Sequence, residues 1–277
     1  MKNKFSCIVI LMLLIQGAQQ MFSQGNLLVA PIRVVFEGGK QREDLNLSNI
    51  GQDTAVYLIS FLHYQMLEDG SFKQLGDTDV LTTPRADTYL RVFPRRVTLP
   101  PGESQIVRLQ YRKKAEMEVG EYRSHLYFRA DKNATPLGLV KDEDTTRLSV
   151  SITPIFGISI PIIIRNGNLN LGLTLSDVSL TEISDTVFNL AVTINRTGER
   201  SAYGGLEATF VPDKGEPFLV GLANGVGVYT DISKRKYNLP VRVSKGVKLH
   251  SGKIVIRYVM PKDDGGRELA RTEFLVS

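Results

Sequence analysis

The side chains best suited to chemistry in this chain are few and sit in patterns that catalysis does not use. Its histidines, His63, His125 and His250, have no metal-ligating neighbour two to four residues further on, so a zinc site of ordinary spacing is not expected. No HExxH, GxSxG or glycine-rich phosphate loop occurs, which removes the usual linear signatures of metalloproteases, serine hydrolases and nucleotide-binding enzymes. The acidic run "KDEDTT" (141–146) lacks the spaced ligands and the glycine of a calcium loop and reads as solvated. His125, in "YRSHLYF", lies opposite an apolar face and reads as a packing or hydrogen-bonding residue. A carboxylate pair of the glycosidase kind leaves no linear motif, and nothing in the chain points to one. The expectation is a protein that is not an enzyme and needs no cofactor.

The residue that stands out is a cation. In "VAPIRVVF" (29–36), Arg33 interrupts an apolar run in which Ala30, Ile32, Val34 and Phe36 share one face. An arginine in an edge strand is commonly a solvated guard against aggregation. A guanidinium held beside an apolar strand is also suited to grip a carboxylate, because it can bond both oxygens at once.

The elements that would position such a group read as strands. Short alternating runs separated by turn residues recur along the chain, as in "DLNLSN" (44–49), "AVYLISFLHYQML" (55–67) and "GEYRSHLYFRA" (120–130), which is the pattern of an all-β sandwich. "LPPGES" is a tight turn built on Pro101 and Gly102. Helical periodicity is absent outside the first residues. "RNGN" (165–168) interrupts the pattern, and further alternating runs follow. Two β-sandwiches in tandem are expected, covering residues 25–165 and 166–277.

The opening "MKNKFSCIVILMLLIQGAQQMFSQ" has two lysines, an apolar run and then small polar residues, the layout of a secretory signal peptide over residues 1–24. Cys7 is the chain's one cysteine and would leave with that segment, so no disulfide can staple the mature fold. The formal net charge of +5 falls to +3 without Lys2 and Lys4. With no stripe of basic and aromatic residues, nucleic acid is not an expected partner. No later segment is long and apolar enough for a membrane helix, so no membrane insertion is expected after export.

One stretch needs a separate account. "LSVSITPIFGISIPIIIR" (148–165) has no charge before its last residue and is dense in isoleucine. Pro154, Gly157 and Pro161 argue against a lipid-embedded helix. Leu148, Val150 and Ile152 share one face of an extended chain, and Ile158, Ile160, Ile162 and Ile164 share one face further on. Either the strand is ordinary core, or it is kept apolar for a partner.

Taken in order, "VAPIRVVFEGGKQREDLNLSN", "VFPRRVTLPPGESQIVRL", "GEYRSHLYFR" and "GISIPIIIR" resemble the periplasmic chaperones of pilus assembly, above all their non-classical or archaic branch. The likeness runs from residue 27 to 165 and continues more loosely through "INRTGERSAYGG" and "GVGVYTDISKRKYNLPV". It implies two immunoglobulin-like sandwiches set at an angle. It also implies donor-strand complementation, in which the last strand of the first domain fills the groove of a pilus or fimbrial subunit before delivery to an outer-membrane usher. The knobs would be Leu148, Val150 and Ile152, or the register through Ile158, Ile160 and Ile162. The resemblance makes Arg33 the anchor for the subunit's C-terminal carboxylate. Many members add a lysine late in the donor strand, but none lies between 148 and 165. Arg165, Arg123 or Arg129 would have to stand in, or the subunit is anchored differently. The alternative is a secreted structural or adhesive β-sandwich whose isoleucine strand is plain core.

Overall fold

A computed structural model describes residues 27–76, 78–131, 156–247 and 249–276. Among them the regular structure is β, apart from short 3-10 turns at Asp87–Tyr89 and Lys262–Asp264, and no helix is long and apolar enough to cross a membrane. The strands form two tandem immunoglobulin-like β-sandwich domains.

In the first domain, β1 (Leu27–Ala30), β3 (Arg42–Asn49), β8 (Ser104–Tyr111) and β6 (Leu90–Phe93) form one sheet in the order β1-β3-β8-β6. The facing sheet runs β2-β10-β9-β4-β5, from β2 (Val34–Phe36), β10 (Gly157–Asn166), β9 (Gly120–Ala130), β4 (Ala55–Met66) and β5 (Phe72–Leu75). The short β7 (Arg96–Leu99) also pairs with β4. Alternating side chains such as Leu45, Leu47, Val107, Leu109, Leu126 and Phe128 fill the space between the sheets. Asn49 secures one corner: its buried amide donates to the Leu99 and Asp53 carbonyls and accepts from the Gly51 N–H. Gly102, at φ +72°, completes the neighbouring turn and donates its N–H to the Asn49 carbonyl, a conformation glycine adopts without a Cβ penalty.

The second domain packs β11 (Gly172–Ser184), β12 (Val187–Thr197) and β15 (Lys234–Arg242) against β14 (Phe218–Val228), β13 (Ala202–Pro212), β16 (Gly252–Val259) and β17 (Glu268–Val276). Its core gathers Leu190, Ile194, Leu206, Phe210, Ile256 and Tyr258. At the junction, Asn166 donates to the carbonyls of Met117 and Glu118, and Gly167 turns the chain at φ +90°.

The apolar run around Arg33 is divided between two strands. β1 pairs antiparallel with β3 in one sheet, while β2 runs parallel to β10 in the other. The chain crosses between the sheets at residues 31–33, so Arg33 lies in the crossover and not within a ladder. Pro31 has no N–H to donate, which suits it to the break.

β10 explains most of the isoleucine run. Ile160, Ile162 and Ile164 point into the first domain's own core, with Ile160 2% and Ile162 0% exposed. Ile163 points the other way and packs with Met66 and with Tyr229 of the second domain. A strand covered on both faces has no use for alternating polar residues. The register that sends Ile158, Ile160 and Ile162 into a partner is therefore corrected: Ile160 and Ile162 fill this chain's own sandwich, and Ile158, half-buried, packs against the same core. Leu148, Val150 and Ile152 lie outside the described residues.

If Ile162 is core, Ile162→Ala should destabilise the free protein by about 2–5 kcal/mol, as large-to-small core substitutions do, measured by urea unfolding. A loss below about 0.5 kcal/mol, the range of surface changes, would remove it from the core.

Candidate functional site at the interdomain cleft

The two domains meet through a buried ion pair and a buried, hydrogen-bonded carboxylate that start from alternate positions on one face of β9. Arg123 donates through Nη2 to Asp231 Oδ2 of the second domain and to the Tyr64 carbonyl (2.9 Å). Both partners of the pair have side chains only 2% exposed. Asp231 Oδ1 accepts from the hydroxyls of Thr82 and Thr83, each at 2.8 Å, and Oδ2 from the Met66 N–H at 3.0 Å. Burial alone would raise the Asp231 pKa, but Arg123 and these hydrogen bonds outweigh it and hold the carboxyl below its ordinary value. The Arg123 guanidinium also stacks 4.3 Å from the centre of the Tyr229 ring.

The second node is Glu121, one strand position pair away. Its Oε2 accepts from Arg165 Nε (3.1 Å), the Ser201 N–H (3.0 Å) and the Ser201 hydroxyl (2.9 Å). Arg165 uses its remaining nitrogens on Glu37 Oε2 (2.9 Å) and the Ser201 carbonyl (3.3 Å). This corrects Arg165 as a candidate for holding a subunit carboxylate, since its three nitrogens already have acceptors, two acids of its own domain and the Ser201 carbonyl of the second. Arg123 is likewise engaged. Arg129 stands opposite Gly157 at the far end of β10 and is exposed.

Arg33 is the contrast. Its guanidinium carbon lies 4.5 Å from the centre of the Tyr203 ring of the second domain, within cation–π range. Its Nε and Nη2 are buried and find no hydrogen-bond partner among the described residues. Burial lowers its pKa, Tyr229 acts to raise it, and Arg165 lowers it further, yet an arginine stays protonated in proteins. The result is a charged fork held in place by one aromatic face, with donors unmatched. Such a group is costly to bury alone, and an anion entering the cleft would relieve that cost.

Beside this cation lies an incomplete ladder. β10 pairs with β9 along its whole length from Gly157 to Asn166, but with β2 only from Ile162 to Ile164. Among the described residues, Gly157 to Pro161 thus have a neighbouring strand on one side only. An open edge of this kind is a template for another chain. The outward face here is flat, carrying Gly157, Ser159 and Pro161, and the Tyr127 ring occupies the space a side chain on Gly157 would need.

His125 is 5% exposed and meets the rings of Tyr64 (centroids 4.9 Å) and Phe72 (5.8 Å) edge-on. Burial first, then the nearby Arg123 and His63, push its pKa down to about 3 against the opposing pull of Asp231. It is a neutral packing ring. His63 approaches Asp87 at 3.8 Å and His250 approaches Ser251 at 3.1 Å, and among the described residues no three His, Cys, Asp or Glu side chains gather as a metal site would need.

The cleft residues that sequence reasoning missed are Tyr203, Ser201, Tyr229 and Asp231. All fall within "INRTGERSAYGG" and "GVGVYTDISKRKYNLPV", the two looser segments of the family resemblance.

No family model matches the chain, and no curated protein matches it. Among solved structures, it is similar to the YadV chaperone at 10% identity, covering 90% of this chain and 100% of that one, with a TM-score of 0.46. The class 5 fimbriae chaperone CfaA gives 18% identity, 91% and 99% coverage, and a TM-score of 0.42. A CsuC–CsuE chaperone–tip adhesion subunit pre-assembly complex from the archaic chaperone-usher Csu pili of Acinetobacter baumannii gives 13%, 91% and 100%, and 0.43.

The His125 environment has a measurable consequence. Between its ordinary value of 6.5 and about 3, the unfolded chain binds a proton at this ring that the folded chain refuses. Stability should therefore be complete above that window and fall as pH drops through it. His125→Phe should flatten the fall in urea-unfolding free energy across the window. An imidazole that titrates near 6.5 by NMR would contradict this placement.

Proposed function

We propose that the chain is a periplasmic chaperone of pilus assembly. It holds an unassembled pilus or fimbrial subunit by donor-strand complementation and passes it to an outer-membrane usher. In this reading residues 1–24 direct export, residues 25–165 and 166–277 are the two domains of the mature protein, and the activity is non-enzymatic and uses no cofactor. The observation that carries the reading is Arg33: a buried guanidinium in the cleft with two unmatched donors, beside a strand whose edge is half open.

The chemistry follows from those two features. A subunit's C-terminal carboxylate offers two oxygens in the plane of the guanidinium fork, and a charge-assisted bond of this type contributes about 1.5–3 kcal/mol. It sets the register in which the subunit's edge meets Gly157–Pro161. Side chains for the subunit's groove then come from Leu148, Val150 and Ile152 upstream. Each is worth roughly 1.5–3 kcal/mol when fully buried, for a total on the order of 10 kcal/mol before ordering costs. That holds a sandwich lacking a strand, while a better-fitting strand can still displace the chaperone. With no lysine in the strand, and with Arg123 and Arg165 bound to acids, Arg33 is the cation of the cleft that meets the carboxylate.

Arg33→Ala should fold as the parent does, since it removes an unpaired buried charge, and should weaken a co-expressed subunit complex about 10- to 100-fold. Arg33→Lys, which keeps charge but loses the fork, should fall between. The measurement is the yield and dissociation constant of the soluble 1:1 complex. Unchanged complex formation by Arg33→Ala, or a subunit equally soluble without the chain, would favour the structural or adhesive alternative.

A further inference from the structure

The outer face of the second domain's β14-β13-β16-β17 sheet holds a cavity of about 500 Å3 that the proposed function leaves unused. Two β-bulges shape it. Asn224 and Gly225 of β14 stand against the single Gly205 of β13, because Gly204 pairs with Val226 and Leu206 with Ala223. On the other side Leu269 is inserted between Ala270, which pairs with Tyr258, and Glu268, which pairs with Val259. Bulges placed this way re-aim side chains and interrupt pairing, and they gather beside functional sites. The bulged strand crowds Gly205 so closely that a Cβ there would lie 2.8 Å from the Ala223 carbonyl oxygen. The floor is therefore bare backbone. Val259 and Met260 add apolar wall, and the rim is the Arg257–Glu207 ion pair (2.6 Å), with Glu268 at 4.0 Å.

Tyr203 joins this cavity to the cleft. Its ring lies under the Arg33 guanidinium and also lines the cavity, and its hydroxyl reaches the bulge, where a Cβ on Gly225 would sit 3.4 Å away. We propose that the cavity receives the side chain of the C-terminal residue whose carboxylate Arg33 binds, and that it selects a planar side chain with a polar edge, such as tyrosine. This rests on the carboxylate-binding reading of Arg33. A flat ring fits a glycine floor and the Tyr203 face, and its polar edge meets the Glu207–Arg257 rim. The acids Glu207 and Glu268 balance Arg257 and Lys262 among the lining residues, so a net charge on the ligand side chain gains little.

The test uses small probes and the mature protein, followed by NMR of backbone amides and arginine Nε–H groups. N-acetyltyrosine carries carboxylate and ring, N-acetylalanine the carboxylate only, and N-acetyltyrosinamide the ring only. N-acetyltyrosine should shift Gly205, Gly225 and Arg33 and bind about tenfold more tightly than N-acetylalanine, the effect of burying one ring. Val259→Trp, or Met260→Trp if the first misfolds, should erase that preference while Arg33 still responds to N-acetylalanine. If the two acids bind equally, or Gly205 and Gly225 stay still while Arg33 responds, the cavity inference is overturned and the Arg33 reading survives. If N-acetyltyrosinamide binds as well as N-acetyltyrosine and Arg33→Ala changes nothing, the carboxylate reading fails instead. No response to any probe overturns both.

Discussion

The buried ion pair between Arg123 and Asp231 joins one domain's sheet to the other's turn, and the cleft between the domains depends on it. Desolvating two charges is expensive, and a buried pair often adds little net stability over an apolar replacement of the same shape. Its contribution is geometric. Asp231 accepts from Thr82, Thr83, Met66 and Arg123 at once, and so many directional partners allow one relative placement of the domains. Glu121, with Arg165 and Ser201, repeats the device two residues along β9. Together they bring Tyr203 and Tyr229 against the crossover that carries Arg33.

That arrangement also decides which cation stays available. Arg123 and Arg165 have carboxylates of their own, whereas Arg33 has an aromatic face and unmatched donors. Cation–π stacking holds a guanidinium without occupying its N–H groups. A preorganised donor of this kind gives up little conformational entropy when an anion arrives. β10 shows the same division within one strand. Ile162 to Ile164 are paired on both edges and fully buried, while Gly157 to Pro161 keep one edge open. A doubly paired stretch and an open edge thus lie within the same ten residues.

Much of the fold was legible because its causes are local. Alternation in "DLNLSN" and "GEYRSHLYFRA", and turn chemistry at Pro101 and Gly102, follow from the period of two and from φ preferences of single residues. Arg33 was legible as an odd charge in an apolar run. The burial of Ile163 had a faint signal as well, since three consecutive isoleucines, Ile162 to Ile164, exceed what a one-faced strand needs. The split of residues 27–36 into two strands had only Pro31 to announce it, and a proline can as readily mark an edge strand.

By itself, then, the sequence determined the all-β class, the tandem sandwiches, the apolar strand and the cation beside it, because each is written in neighbouring residues. Only the tertiary structure decided which charges are paired and which isoleucines face inward. Arg165 stood as a second candidate beside Arg33 until Glu121, Glu37 and Ser201 came to surround it, and the core and partner readings of Ile160 and Ile162 stood side by side until the sandwich closed over them. The partner of Arg123 lies 108 residues away. Pairing across such a distance is set by how two sheets pack and two domains dock, and no local pattern encodes it.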